Sequence, residues 1–179
     1  MIITIGGLAG SGTTTAAEVL SKELNIPFLS AGNIFRDMAE EQGMSLLEFS
    51  KYAEDNTAID IELDKRQADI ANKSKNLIVE GRLSAHFIEA DFRVWLLAPL
   101  AIRAERVCNR ESKSLDLAIE ETKIREKSEV LRYLDIHNID INNFDIYDLI
   151  LNTDSFNPDS ISKIILTSLD TLGLRIEDN

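Results

Sequence analysis

Gly7-Leu8-Ala9-Gly10-Ser11-Gly12-Thr13-Thr14 follows directly on an apolar run, Met1 to Ile5, and opens a stretch, Thr13 to Leu24, in which Ala17, Leu20 and Leu24 recur at helical spacing. A buried strand, a glycine-rich turn and a helix in that order fit the phosphate-binding pattern G-x-x-x-x-G-K-[ST] at every fixed position except the lysine, where Thr13 stands. Glycines let successive backbone N–H groups curl into a concave nest, and the helix opening at Thr13 turns the positive end of its dipole toward a bound anion. Thr14 falls where a hydroxyl can hold Mg2+, whereas Thr13 cannot supply the cation that normally reaches the outer phosphates. Such turns also occur without a ligand. What favours a polyphosphate site is the position of the loop at the carboxyl end of the first strand, where open α/β sheets bind ligands.

Working outward, short apolar runs at Pro27–Leu29, Leu77–Val79, Arg93–Leu97 and Asp148–Leu151 read as four further strands, each followed by polar or turn residues and a helix. Ser30 is placed to cap a helix running through Met38 and beyond, and Ser45 to Lys73 is helical and charge-rich. Pro99 and Pro158 stand at helix starts, where a missing N–H costs nothing. Strands alternating with helices predict a doubly wound α/β fold with a five-stranded parallel sheet covered on both faces. No linker, repeat or low-complexity tract divides the chain, so residues 1–179 are expected to form a single domain.

Of 179 residues, 44% are hydrophobic and 28% charged, too apolar for disorder and too broken by charge for a membrane span. One cysteine excludes an internal disulfide framework, and Cys108 with the distant His86 and His137 gives no metal-finger spacing. The opening MIITIGG shows no export leader, and residence in the cytoplasm is the expectation. A net charge of -12 argues against nucleic acid as partner. Against that acidic background, seven arginines between Arg82 and Arg132 (Arg82, Arg93, Arg103, Arg106, Arg110, Arg125 and Arg132) suit a small polyanion better than solubility alone requires. No Ser/His or His/Asp constellation suggests nucleophilic hydrolysis. Arginines without histidines suit phosphoryl transfer to an acceptor that is itself a phosphate, ionised at neutral pH and in no need of a base. His86 reads as surface or cap, His137 as part of a polar connection, Cys108 as a helical core residue and Trp95 as core. Phe49, Tyr52 and Ala53 read as a packed helix face with some pocket contact.

Taken in order, the loop Gly7 to Thr15, Ser30-Ala31-Gly32-Asn33-Ile34-Phe35-Arg36, Met44-Ser45-Leu46, Phe49-Ser50-Lys51-Tyr52-Ala53, Arg66-Gln67, Glu80-Gly81-Arg82-Leu83-Ser84 and Arg125-Glu126-x-x-Glu129-x-x-Arg132-Tyr133 resemble the nucleoside monophosphate kinases, and among them the archaeal-type cytidylate kinases, over almost the whole chain. The resemblance implies transfer of a phosphoryl group from ATP to CMP or dCMP. It implies a helical acceptor-binding insertion over about residues 30–72 and a lid near 109–120. By the same resemblance Gly7, Leu8, Ala9, Gly10, Ser11, Gly12, Thr13, Thr14 and Thr15 would hold the ATP phosphates, and Thr14 and Glu80 the Mg2+, unless Glu80 instead orients an arginine. Arg36, Arg66 and Arg82 would bind the acceptor. Arg82, Arg125 and Arg132 would act on the transferring group, with Arg103, Arg106 and Arg110 as a second jaw. Bacterial relatives have an Asp where this chain has Leu83, so the cytosine amino group needs another acceptor: Ser84, Asp60 or Asp64. A monomer without nucleic-acid or membrane partners is expected. Two alternatives stay open: another nucleoside monophosphate or small metabolite as acceptor, and a regulatory nucleotide-binding module that lost catalysis with the loop lysine.

Overall fold

In the computed structural model, which describes residues 1–174 and residue 176 apart from the side chains at 46, 47 and 50, five strands run parallel. The side chains of Leu46 and Ser50, part of the motifs quoted above, thus lie outside the described residues. β1 (Ile2–Gly7) is central in the order β2-β3-β1-β4-β5, with β2 at Phe28–Ser30, β3 at Leu77–Glu80, β4 at Phe92–Leu97 and β5 at Leu149–Asn152. The connections carry α1 (Thr13–Leu24), α2 (Ala31–Glu41), α3 (Leu46–Glu54), α4 (Thr57–Ala71), α5 (Ser84–Phe87), α6 (Leu100–Glu111), α7 (Leu115–His137) and α8 (Pro158–Thr171). The doubly wound parallel sheet read from the sequence is therefore the observed fold, with strand ends shifted by at most two residues. Asp148, expected inside the last strand, instead uses its carboxylate to accept from the Arg93 N–H at 2.7 Å.

Alternation along β1 sorts the core. Ile3 and Ile5, fully buried, meet Ala16, Ala17 and Leu20 of α1 and Ile161, Ile165 and Leu169 of α8. On another side of the molecule Trp95 packs with Leu83, Tyr133 and Ile141. Leu83 is thus a core residue. α2, α3 and α4 make up residues 31–71 almost entirely, and they close on an apolar cluster of their own built from Ile34, Met38, Ala39, Phe49, Ala53 and Ile59. α3 is fixed at its start by a capping box between Ser45 and Glu48, a local reason for the Met44-Ser45-Leu46 motif. Residues 109–120, expected as a lid, comprise the last turn of α6, a three-residue connection and the first turns of α7. Among the described residues no helix is long and apolar enough to cross a membrane.

Candidate active site

The glycine-rich loop leaves β1 at the sheet's carboxyl edge. Gly10 (φ 81°) and Gly12 (φ 93°) adopt left-handed backbone, and a Cβ on Gly10 would lie 2.4 Å from the Arg103 carbonyl oxygen, so a side chain there is excluded twice over. Three consecutive loop carbonyls are held from outside. Arg103 Nη1 donates to Ala9 O at 3.2 Å, Arg106 Nη1 to Gly10 O at 3.2 Å, and Thr153 Oγ1 to Ser11 O at 2.8 Å. Because a trans peptide sets each N–H opposite the preceding carbonyl, these contacts turn the N–H groups of Gly10 and Gly12 the other way. They join the N–H groups of the first turn of α1, which have no intrahelical acceptor. The result is a row of donors suited to phosphate oxygens. Arg103 is buried, with its charge met by Glu126, and Arg106 also binds Thr153 O at 2.9 Å. These two arginines brace the loop and do not form the second jaw of a clamp. Arg110, exposed and paired with Glu111, joins neither group.

At the same edge, strand register sets Glu80 beside Ile5 on β1 and Ser30 on β2. Thr13 Oγ1 donates to Glu80 Oε1 at 2.7 Å and Ser30 Oγ to Glu80 Oε2 at 2.6 Å. Ser30 is the N-cap residue of α2 by position, yet its hydroxyl does not cap the helix because Glu80 takes it. Thr14 is exposed next to Thr13. Among the described residues no group of three His, Cys, Asp or Glu side chains could cage a metal. Mg2+ needs no such cage, being held typically by one or two protein groups with substrate phosphates and water, and the Thr14 hydroxyl with the Glu80 carboxylate fits that pattern.

Glu129 on α7 collects the remaining arginines. Its buried carboxylate lies 2.7 Å from Arg82 Nε, a close ion pair not aligned as a hydrogen bond, and accepts from Arg125 Nε at 2.9 Å. The carboxylate that orients arginine is therefore Glu129, while Glu80 takes the two hydroxyls. Burial opposes the Arg82 charge, but Glu129, with Tyr133, Glu80 and Glu126 around it, holds the guanidinium above the ordinary arginine value. Arg132, one helical turn on from Glu129, lies 3.7 Å from Asp60 of α4. Burial raises Asp60 and takes Asp64 up to about 7, in the latter case with help from the Asp60 charge. His137 closes α7 and faces Asp64 at 3.1 Å, with burial holding it below the usual imidazole value. It lies in the seam between α4 and α7 and not in the polar connection expected from sequence. His86 is half-buried and likewise lowered by burial.

On the acceptor side Arg36 is exposed and donates to Asn33 of its own motif. Arg66 is engaged elsewhere, with Nη1 and Nη2 each 3.0 Å from the Glu41 carboxylate and Nε 3.0 Å from Glu62, so that it ties α4 to the end of α2. Of the three candidate acceptors for a base amino group, Ser84 donates its hydroxyl to Gln67 Oε1 at 2.8 Å, while Asp60 and Asp64 face α7. Phe49 and Ala53 are buried in the insertion's own core, and Tyr52 is exposed.

Residues 2–155 match the family described as "Cytidylate kinase-like family". The chain belongs to this family. It is 69% identical over 172 residues to a protein of Methanobrevibacter smithii named "Cytidylate kinase", covering 96% of this chain and 100% of that one. A protein of the same name from Methanosphaera stadtmanae is 62% identical over 165 residues, 92% of this chain and 95% of its own. Among solved structures, an uncharacterized protein from Eubacterium ventriosum aligns with a TM-score of 0.73 at 20% identity, covering 96% of this chain and 99% of that one. Shikimate kinase from Bacteroides thetaiotaomicron aligns with a TM-score of 0.63 at 15% identity, covering 95% and 98%. At those identities the structural matches speak for the fold alone.

Some residues close to the loop carry no sequence signal. Thr153, just past β5, is silent in any motif, yet it reaches across the sheet to the phosphate loop. Lys123 and Lys127 of α7 line, with Leu8, Glu126, Val130 and Asn142, a cavity of about 370 Å3 beside the loop. Their spacing of four on a long helix is the only hint, and solvated helix faces show the same spacing.

Proposed function

We propose that this kinase transfers the γ-phosphoryl group of ATP to CMP or dCMP, giving ADP and CDP or dCDP. The observation that carries this is the convergence on buried Glu129 of Arg82, from the carboxyl edge of the sheet, and Arg125, from α7, beside a phosphate loop whose carbonyls are tied back. The names of the archaeal relatives supply the acceptor. ATP phosphates lie along Gly7 to Thr15, with Thr14 and Glu80 holding the Mg2+, which when bound neutralises charge on the phosphate oxygens. Arg36 and Arg82 hold the acceptor phosphate, joined by Arg66 once it exchanges Glu41 for the ligand. Arg125 and Arg132 offset the charge on the transferring group, the task a loop lysine would share. No base is required, because a phosphate monoester with a second pKa of about 6 is already ionised at neutral pH. Closure of α2–α4 over the acceptor excludes water and so limits ATP hydrolysis. The enzyme works as a cytoplasmic monomer on small nucleotides.

A coupled ADP-release assay with Mg-ATP and CMP, dCMP, UMP, AMP or GMP tests the assignment. Stimulation by the cytosine nucleotides alone is expected. Equal rates with UMP would shift the acceptor, and ATP binding without turnover on any acceptor would leave a regulatory nucleotide-binding module.

A further inference from the structure

The loop's lysine position is occupied by a side chain with a defined contact. Thr13 is buried, and its methyl lies against Gly7: a Cβ on Gly7 would stand only 2.9 Å from Thr13 Cγ2. In the setting the structure shows, with the methyl on the glycine side, the hydroxyl donates to Glu80 Oε1, 2.7 Å away. Ser30, equally buried, reaches the other carboxylate oxygen from β2 at 2.6 Å. One carboxylate is thus gripped on both oxygens by neutral donors, one from the phosphate loop's helix and one from the residue that opens the α2–α4 insertion.

Two consequences follow. A carboxylate has about four lone-pair sites, and the two hydroxyls occupy only two of them. A full negative charge at the mouth of a phosphate cradle repels the ligand unless a cation lies between them. Among the described residues Glu80 makes no ion pair, and Arg82, the cation whose charge it feels, is held in a close pair by Glu129, so the Glu80 carboxylate is oriented by the two neutral hydroxyls.

On the proposal that the loop binds Mg-ATP, we infer that Thr13 is a positioning residue, its hydroxyl together with that of Ser30 fixing the Glu80 carboxylate so that its remaining lone pairs meet the shell of the nucleotide-bound Mg2+. Thr13 therefore has a task of its own at the loop's lysine position, holding a carboxylate of the metal site.

The test needs no acceptor and no turnover. The affinity of a non-hydrolysable ATP analogue is measured by calorimetry with Mg2+ and again with EDTA, for the wild type and for Thr13→Val, Thr13→Ser and Ser30→Ala. Val keeps the methyl against Gly7 and puts a second methyl in place of the hydroxyl. Loss of an outer-shell partner costs about 10–100-fold in metal affinity, so Thr13→Val should lose about tenfold or more with Mg2+ while its affinity in EDTA stays within about twofold of wild type. Thr13→Ser restores most of the loss, Ser30→Ala shares it, and the double variant Thr13→Val/Ser30→Ala loses less than the two single losses multiplied, because both act through one carboxylate. Equal losses with and without Mg2+ would make Thr13 merely part of the cradle, and no loss would make it idle; either overturns the inference. If Thr13→Val does not fold, Ser30→Ala decides by the same comparison. Failure of the acceptor assignment is separate: wild type that binds the analogue in a Mg2+-dependent way yet phosphorylates no cytosine nucleotide sinks that assignment and leaves Thr13 untouched.

Discussion

Glu129 illustrates how one carboxylate can serve two arginines with unequal energetic weight. Its side chain is 6% exposed, that of Arg82 19% and that of Arg125 56%. Removing the shared acid strands a buried guanidinium, so Glu129→Gln is expected to cost roughly 3 kcal/mol of stability. Arg125→Gln breaks a contact whose cation is mostly in water and should cost less than about 1 kcal/mol. If Arg125 meets the transferring phosphoryl group, that nearly silent change still lowers turnover by about 100-fold or more, the scale of a lost electrostatic donor. Thermal melts and steady-state rates on both variants separate the two effects. Arg125→Gln with full turnover would reduce Arg125 to a surface partner of Glu129. The same residues show where sequence stops being legible. Spacing identifies which arginines share a helix face, and Arg125 and Arg132 do share one. It does not say what lies opposite that face, so Arg103 and Arg106, at an equally suggestive spacing, turn out to hold loop carbonyls.

Among the elements, α1 was readable to the residue, because a positive-φ glycine precedes it and Asn25 (φ 53°) ends it. The apparent cap of α2 was readable only in position, since the contest for the Ser30 hydroxyl is with a residue fifty positions away. α7 packs on α6 and on the Trp95 cluster and meets α4 through Arg132 and His137, while most of its other charges stay exposed, so neither its length nor its seam with α4 follows from periodicity. The insertion α2–α4 has a core separate from that of the sheet, centred on Phe49, which is 1% exposed. Phe49→Ala removes about 3–5 kcal/mol from that core. Because the phosphate loop is braced by α6 and Thr153 and not by the insertion, the expected outcome is a split. KM for CMP rises about tenfold or more, affinity for an ATP analogue stays within about twofold, and hydrogen exchange accelerates in α2–α4 while β1, α1 and α8 keep their protection. Exchange rising uniformly through the sheet would mean that the two cores unfold as one.

For the molecule as a whole, the seam between insertion and body makes stability depend on pH in an unusual direction. Most native carboxylates stabilise a fold when ionised, as the lowered Glu41, Glu48 and Glu111 do here through hydrogen bonds and neighbouring cations. Asp64 does the opposite. Burial first, and the adjacent Asp60 second, push it up to about 7, and it is faced by His137, with Arg132, Glu129 and Tyr133 close to Asp60. An unfolded aspartate titrates near 3.9. Below about pH 4 the group is protonated in both states, and its favourable contribution is fully present. Between about pH 4 and 7 the folded chain holds a proton that the unfolded chain has released, so stability from this group falls as pH rises, by up to about 1.4 kcal/mol per unit. Above pH 7 both states are ionised and the penalty is constant. Asp64→Asn keeps the shape and cannot ionise, so its stability relative to wild type should improve by about 2–3 kcal/mol between pH 5 and pH 8, read from urea melts across that range. A difference between the two proteins that stays flat with pH would mean that Asp64 is ionised throughout and that the α4–α7 seam is an ordinary ion pair with His137.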